Sequence, residues 1–361
     1  MNSSVFFGIS TMAYIIAMII YITYLAFRNR NIGIIATTVT VIGFLSQTMA
    51  ILMRWKEFYE ISGMGILRSV PLTNLYESMI FFVWCLILGY LVIEFRYKNR
   101  SFGAFVTPVA GLALAFINIS GMSKEIQPLI PALQSNWLLA HVTMSFISYA
   151  AFALSFSTGL MYLILKADKK TQATYIFWTF TLGIFITLLL AMAIDFLTFK
   201  VAVKPEVFIK SYLFKASFLN SSVTTRIVSW VLTAAIILII WRFGTTLKTI
   251  IERFNISAET LDEITYKSIA IGFPIFTLGG LIFGAIWADQ AWGTYWSWDP
   301  KETWSLITWF VYAFYLHGRL LRGWRGKGVA IVAVVGFTAV IFTYLGVNLL
   351  LSGLHAYGGI E

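Results

Sequence analysis

Long apolar runs dominate the pattern of this 361-residue chain. Ten of them are close to the roughly 20 residues that a helix needs to cross a hydrocarbon layer about 30 Å thick. Backbone groups cannot stay unpaired in lipid, and the runs lack the ten-residue alternation of a β-barrel, so the pattern predicts membrane-spanning α-helices. The runs lie at residues 5–27, 32–53, 77–95, 103–121, 141–165, 176–198, 227–246, 268–287, 303–318 and 329–351, of which the ninth is the shortest.

The predicted fold class is therefore all-α, a polytopic transmembrane helical bundle of about ten spans. Its composition agrees, since 59% of residues are apolar and 12% are charged. The first run has no basic residue before it and is long for a signal peptide, so we interpret it as a retained span. No internal repeat or long linker interrupts the chain, which predicts one integral membrane domain over residues 1–361.

The basic residues predict the orientation of the bundle. If the N- and C-termini both lie outside, more than half of the 26 Lys and Arg residues fall in the inner loops. A net charge of +10 then follows mostly from topology and gives no reason to expect nucleic acid as a partner. The inner basic residues are Arg28, Arg30, Arg96, Lys98, Arg100, Lys166, Lys169, Lys170, Arg242, Lys248, Arg253, Lys267, Arg319, Arg322, Arg325 and Lys327.

The chain has a single cysteine, Cys85, inside the third apolar run. One thiol cannot form a CxxC pair or an internal disulfide, so the chain performs no dithiol redox chemistry by itself. Cys85 is most simply a small buried apolar residue.

Two of the three histidines share the predicted outer side with a tryptophan-rich segment, "WADQAWGTYWSWDPKETW", at residues 287–304. His141 begins the fifth span one turn after Trp137, and His355 follows the tenth span. Imidazole is a good axial ligand for haem iron, and aromatic rings can stack on the macrocycle, so this combination favours an outer haem site. Each histidine by itself is also compatible with an ordinary polar position at the membrane interface.

The tryptophans have a structural alternative as well, because Trp and Tyr form interfacial belts in many membrane proteins. A belt spreads its residues over several helix ends, whereas Trp292, Trp296 and Trp298 lie within seven residues on one connection, with Trp287 and Trp304 on either side. This clustering favours an aromatic shelf for a haem plane.

His317 lies thirteen residues beyond Trp304 on the ninth predicted helix, about 20 Å further toward the inner side. An ionisable residue within a span is a candidate functional residue, although a snorkelling interfacial histidine is the alternative. If His317 binds haem iron, a second axial ligand has to come from another subunit or from a residue such as methionine.

The acidic residues of the segment have two interpretations. Asp299, Pro300 and Glu302 fit the N-cap, N1 and N3 positions of a capping box that opens the ninth helix. The alternative is direct general acid or base chemistry by Asp299. We favour the structural role, which also fixes the geometry of the tryptophan-rich segment.

The run "AWGTYWSWDPKETWSLITWFVYAFYLHGR" resembles the WWD signature of haem-handling membrane proteins. Together with "PLTNLYES", "PALQSNWLLAHV" and "GVNLLLSGLHAYGG", it resembles the CcsA/ResC component of System II cytochrome c biogenesis over most of residues 70–361. The WWD run by itself is also similar to System I proteins, and the other segments favour System II.

This resemblance implies a component of a cytochrome c synthase, or haem lyase, that works with a ResB/CcsB-type membrane subunit. It implies that haem b moves across the membrane and is joined through two thioethers to the CxxCH motif of an apocytochrome c. It implies iron ligation by His141 and His355 at an outer site and by His317 at a transmembrane site. The cofactor-binding residues are then expected to be His141, His317, His355, Trp292, Trp296, Trp298, Asp299 and Trp304.

Two other functions stay open at this stage: a haem transporter without attachment chemistry, and a cytochrome b-like electron carrier. The second usually buries paired histidines between helices, whereas this chain has one histidine in a span and two at an outer edge. We expect a bacterial cytoplasmic membrane, with a thylakoid membrane as the alternative and the active site on the outer face.

Overall fold

The computed structural model of the protein describes residues 3–63, 65–72, 75–119, 134–167, 169–202, 223–253, 256–347 and 351. Within these ranges the chain is all-α and contains no strand, which confirms the predicted fold class. The first seven helices are α1 (Ser3–Phe27), α2 (Arg30–Ser62), α3 (Leu75–Tyr97), α4 (Gly103–Ile119), α5 (Asn136–Lys166), α6 (Ala173–Ala202) and α7 (Val223–Glu252), with a short 3₁₀ turn at Ile66–Ser69.

The C-terminal part of the described chain contains two π-helical segments. Helix α8 (Ala258–Phe276) continues through π1 (Thr277–Phe283) into α9 (Gly284–Trp292) as one rod. Helix α10 (Pro300–Leu321) follows after a connection at residues 293–299, and α11 (Lys327–Ile341) continues into π2 (Phe342–Gly346).

If α8, π1 and α9 are taken as one rod, the described residues form ten long helical segments, each overlapping one predicted run. Seven of them are long and apolar enough to cross a membrane, judged by length and composition of the described part. Segments α4, α6 and α10 do not meet both conditions there, so the predicted number of spans stays a prediction. The predicted outer location of the two termini also stays a prediction, since residues 1–2 and 352–361 lie outside the described ranges.

Several helices extend beyond the predicted runs, and in α2 the polar residues of the extension have partners on other helices. Helix α2 continues past residue 53 to Ser62, where Gly63 ends it in the left-handed conformation with φ of 63°. In this extension Arg54 forms a buried ion pair with Glu77 of α3 at 2.8 Å. Glu57 accepts hydrogen bonds from the backbone N–H and the hydroxyl of Ser3. A charge at the end of an apolar run therefore does not end this helix.

Helix α5 is central to the packing. It contacts α3, α8 and α11 extensively, and its buried residues run from Ser145 to Ile164. Helices α1, α2 and α4 pack together on one side, and α6 pairs with α7 on another. A single buried apolar cluster includes side chains from each of the helices α1 to α11 except α9. This arrangement fixes α5 against the α8–π1–α9 rod, and that pair carries the candidate site.

Candidate functional site

The candidate site lies where the start of α5 meets π1, α9 and the connection at residues 293–299. Pro274 stands inside α8, where it cannot donate a backbone hydrogen bond, and π1 begins three residues later. π-Helical turns of this kind occur frequently at functional sites. The regular α-helix is thus interrupted close to His141, in the part of the chain that contains Pro274 and the paired Gly279 and Gly280.

His141 is held by π1. Its Nδ1 lies 2.7 Å from the carbonyl oxygen of Gly279, and its ring stacks on Trp287 with centroids 6.3 Å apart and planes within 15°. A carbonyl oxygen can only accept, so Nδ1 carries the proton and donates it. In the neutral imidazole Nε2 then carries the lone pair, which is the tautomer that a metal-binding histidine uses.

Gly284, at the start of α9, makes room for this imidazole. A Cβ atom at that position would lie 2.8 Å from Nδ1 and 2.9 Å from Cε1 of His141. Both distances are too short for real Cβ contacts, so glycine permits the close approach of the ring. The position of His141 therefore depends on two glycines of the rod, Gly279 and Gly284.

A cavity of about 110 Å³ lies beside His141. Its polar lining comes from four elements, with His141, Ser145 and Tyr149 on α5, Tyr295 and Trp296 on the connection, Lys301, Glu302 and Ser305 on α10, and Tyr344 in π2. Burial lowers the pKa of the Lys301 ammonium to about 8, against the attraction of the Asp299 carboxylate, which raises it.

The capping box predicted for α10 is confirmed. The Asp299 carboxylate accepts from the backbone N–H of Lys301 at 3.0 Å, and Glu302 accepts from the backbone N–H of Asp299 at 3.3 Å. Glu302 also accepts from the N–H and the hydroxyl of Ser297, at 2.8 and 3.1 Å. These contacts tie the connection to the first turn of α10, as the structural interpretation of Asp299 expects.

The predicted tryptophans separate into different environments. Trp292 packs on the buried Trp287 at a centroid distance of 4.8 Å, and Trp304 packs on Phe342 at 4.1 Å. Trp296 and Trp298 form an edge contact at 5.8 Å, but Trp298 is 68% exposed with a positive φ of 58°. Of these residues Trp296 lines the cavity.

The described residues include two of the three histidines, His141 on α5 and His317 on α10. His317 lies near the C-terminal end of α10, on an exposed face with Phe310 and Phe314, which are 58% and 52% exposed. His355 lies outside the described residues, so its predicted pairing with His141 stays a prediction. Within the described ranges no group of three or more His, Cys, Asp or Glu could hold a metal ion by itself.

The sequence interpretation missed Ser145, Lys301 and the positioning role of Gly279 and Gly284. Lys301 lies between Asp299 and Glu302 and was given no role of its own. Glycine within an apolar helical run often marks a close approach of another element. The glycines in "TLGGLIFGAIW" carried that signal, but their partner could not be identified without the packing of α5.

The chain is similar to cytochrome c assembly proteins. Residues 72–355 match the family described as Cytochrome C assembly protein. The chain is 37% identical over 352 residues to the cytochrome c biogenesis protein CcsA of Gloeobacter violaceus, an alignment that covers 97% of this chain and 94% of the relative.

Two further relatives show a similar level of identity. The CcsA protein of Heterosigma akashiwo is 40% identical over 291 residues, which cover 80% of this chain and 76% of the relative. That of Marchantia polymorpha is 35% identical over 355 residues, with 94% of each chain covered. The chain therefore belongs to the CcsA family of cytochrome c assembly proteins, integral membrane proteins with a role in cytochrome c maturation.

Proposed function

We propose that this protein carries haem b to the outer face of the membrane and holds it there while thioether bonds to an apocytochrome c form. The observation that carries the proposal is the orientation of His141, whose Nδ1 donates to Gly279 while its ring lines the cavity. Metal-binding histidines are usually oriented by such a hydrogen bond from their second nitrogen. The residues present thus fit an iron ligand at this position.

In this proposal His141 and His355 would hold the haem iron at the outer site, and His317 would hold it at a transmembrane site. Exposure of His317 on α10 together with Phe310 and Phe314 supports a second ligand from a ResB/CcsB-type subunit. The aromatic residues Trp296 and Trp298 contribute the surface against which the macrocycle packs.

The attachment step uses thiols of the substrate. Each S–H of the apocytochrome CxxCH motif adds across one haem vinyl group, so that an S–C and a C–H bond form while the S–H bond and the C=C π bond are lost. This addition needs no net oxidant or reductant. The protein contributes the orientation of the reacting groups, which is consistent with its lone, buried Cys85.

The test is cytochrome c assembly in cells that express the chain with its partner subunit, followed by haem staining of the product. His141→Ala, His355→Ala and His317→Ala should each abolish covalent product, and added imidazole should partly restore a variant of an outer ligand. Normal assembly after loss of His141 would refute the proposed outer site.

Two apocytochrome acceptors distinguish the proposed function from that of a transporter without attachment chemistry. Purified chain and partner are supplied with haem and with an apocytochrome that carries either CxxCH or an AxxAH control motif. Our proposal expects stable haem staining with CxxCH alone. Transfer of haem to both acceptors without any thioether would favour the transporter instead.

A further inference from the structure

The loop between α10 and α11, residues 322–326, folds back onto the last turn of α10. The backbone N–H of Trp324 donates to the carbonyl oxygen of Gly318 at 3.0 Å, and the carbonyl oxygen of Trp324 accepts from Nη1 of Arg319 at 3.1 Å. The Arg319 guanidinium is itself paired with Asp262 of α8 at 2.7 Å. Trp324 is therefore tied to α10 and, through Arg319, to α8.

Gly318 and Phe314 determine where the Trp324 ring lies. A Cβ atom at position 318 would overlap the indole, so the ring can lie directly against the helix only because residue 318 is glycine. The indole also packs on the Phe314 ring, with centroids 5.5 Å apart and planes at 68°. The two side chains stay partly open to their surroundings, at 43% and 52% exposure. A loop residue thus adds one ring to the aromatic surface of α10.

This aromatic surface lies beside His317. Successive residues of an α-helix are about 100° apart around its axis, so Phe314 lies about 60° from His317 and Gly318 about 100° from it in the same sense. The Trp324 ring contacts the helix at these two positions. His317 is exposed and forms no hydrogen bond with another described residue. Its imidazole is therefore available to a ligand that also contacts Trp324.

The same loop carries two arginines, Arg322 and Arg325. Both are exposed, and neither forms an ion pair with another described residue. An open imidazole, an aromatic surface and two cations at one helix end suit a flat, apolar, iron-bearing ligand with negatively charged side groups. A lipid chain would use the aromatic surface but not the imidazole. An ordinary interfacial tryptophan needs no glycine to bring its ring against a helix.

We propose that Trp324 contacts the haem that is bound through His317, and that Gly318 positions the indole for this contact. The inference rests on the proposed function, since it adds a residue to the same transmembrane site. The indole meets the macrocycle by offset stacking or by an edge contact, the geometries that aromatic systems prefer. Arg322 and Arg325 attract the anionic haem to this end of α10.

The test isolates this site by removing the other two histidines. The chain has three histidines, so a His141→Ala, His355→Ala double variant keeps His317 as its only one. This full chain, purified with its partner subunit, is titrated with haem and followed by absorbance of the iron–histidine complex. Thermal unfolding is measured on the same preparations without haem.

Trp324→Leu in this background should weaken haem binding about 3- to 10-fold, the loss that corresponds to one aromatic contact. Trp324→Phe should keep most of the affinity, because it retains a ring. Gly318→Ala should weaken binding by displacing the indole, and it should add little to the loss in Trp324→Leu. Trp230→Leu is the matched control, because Trp230 is also an exposed tryptophan, at 69%, but lies on α7. It should keep the affinity of the background variant.

An unchanged haem affinity in Trp324→Leu, or an equal loss in Trp230→Leu, would overturn the assigned contact and leave the proposed function standing. A lower unfolding temperature of Trp324→Leu with unchanged haem affinity would give Trp324 a structural role only. Absence of haem binding to the background variant itself would overturn the His317 site on which the inference rests.

Discussion

Replacement of Gly284 by alanine tests whether π1 and α9 position His141. The added Cβ would lie 2.8 Å from Nδ1 and 2.9 Å from Cε1 of the imidazole. Ordinary contacts of a Cβ atom begin near 3.4 Å, so the ring has to move by at least about 0.5 Å. The ring cannot move freely, because it stacks on Trp287 and donates to Gly279 at 2.7 Å.

The magnitude follows from the hydrogen bond that this movement lengthens. Beyond about 3.2 Å an N–H···O contact of this type weakens strongly. Loss of the group that orients a metal-binding histidine typically lowers metal affinity about 10- to 100-fold. Alanine otherwise favours a helix over glycine by about 0.5–1 kcal/mol, so the loss of affinity should occur without a matching loss of stability.

The assay is a haem titration of the purified chain with its partner, with thermal unfolding measured on the same samples. Gly328→Ala is the control, since a Cβ at Gly328 meets no atom within 4 Å. If Gly284 acts through His141, adding Gly284→Ala to a His141→Ala variant should cost no further affinity. Wild-type affinity in Gly284→Ala, or an additional loss in the double variant, would refute the positioning role.

Three other predictions concern the surroundings of the site. Asp299→Ala should lower stability by about 1 kcal/mol in thermal unfolding, while Asp299→Asn, which can still cap α10, should keep assembly near wild type; equal loss of assembly in both would indicate a chemical role. Trp298→Gly relieves a positive φ and should leave stability unchanged or higher, but lower haem affinity; unaltered affinity would remove Trp298 from the site. Arg319→Met removes the partner with which the Asp262 carboxylate is paired at 2.7 Å, and it should lower the free energy of unfolding by about 3 kcal/mol in chemical unfolding. Adding Asp262→Asn should recover part of that loss. No recovery would contradict the pairing.

The helical segments could be predicted because a membrane span is a local property of the sequence. A run of about 20 apolar residues forms its backbone hydrogen bonds within one helix, and its side chains are compatible with lipid, whatever the neighbouring helices are. The capping box at Asp299 and Glu302 is local in the same way, since its partners lie within three residues. Both predictions were confirmed within the described part of the chain.

The ends of the helices were less predictable because they depend on distant partners. Arg54 has the properties of a residue at the end of a span, yet α2 continues through it because Glu77 lies 2.8 Å away on α3. At 6% and 2% exposure the two side chains are buried together. A buried charge is tolerated where a partner is provided, and the sequence alone does not say which acidic residue that is.

The candidate site was predictable in its residue types but not in its geometry. His141 and Trp296, which the sequence analysis placed at one outer site, line the same cavity, while their predicted haem binding stays a prediction. Trp304 does not line this cavity, and its ring packs on Phe342 in π2, so its predicted role in haem binding stays a prediction. Lys301 and Ser145 were missed because their place in the lining of this cavity depends on how α5, the connection and α10 come together.

Gly279 connects the packing of the bundle to the chemistry of the site. A Cβ at this position would overlap Met144 of α5, so the two helices can approach at this depth only because the residue is glycine. Met144 lies three residues after His141, on the same side of α5. The same approach brings the Gly279 carbonyl within 2.7 Å of Nδ1 of His141. A larger residue at position 279 would therefore separate α5 from π1. The same separation would break the hydrogen bond that orients the imidazole, so the orientation of the proposed iron ligand is a consequence of helix packing.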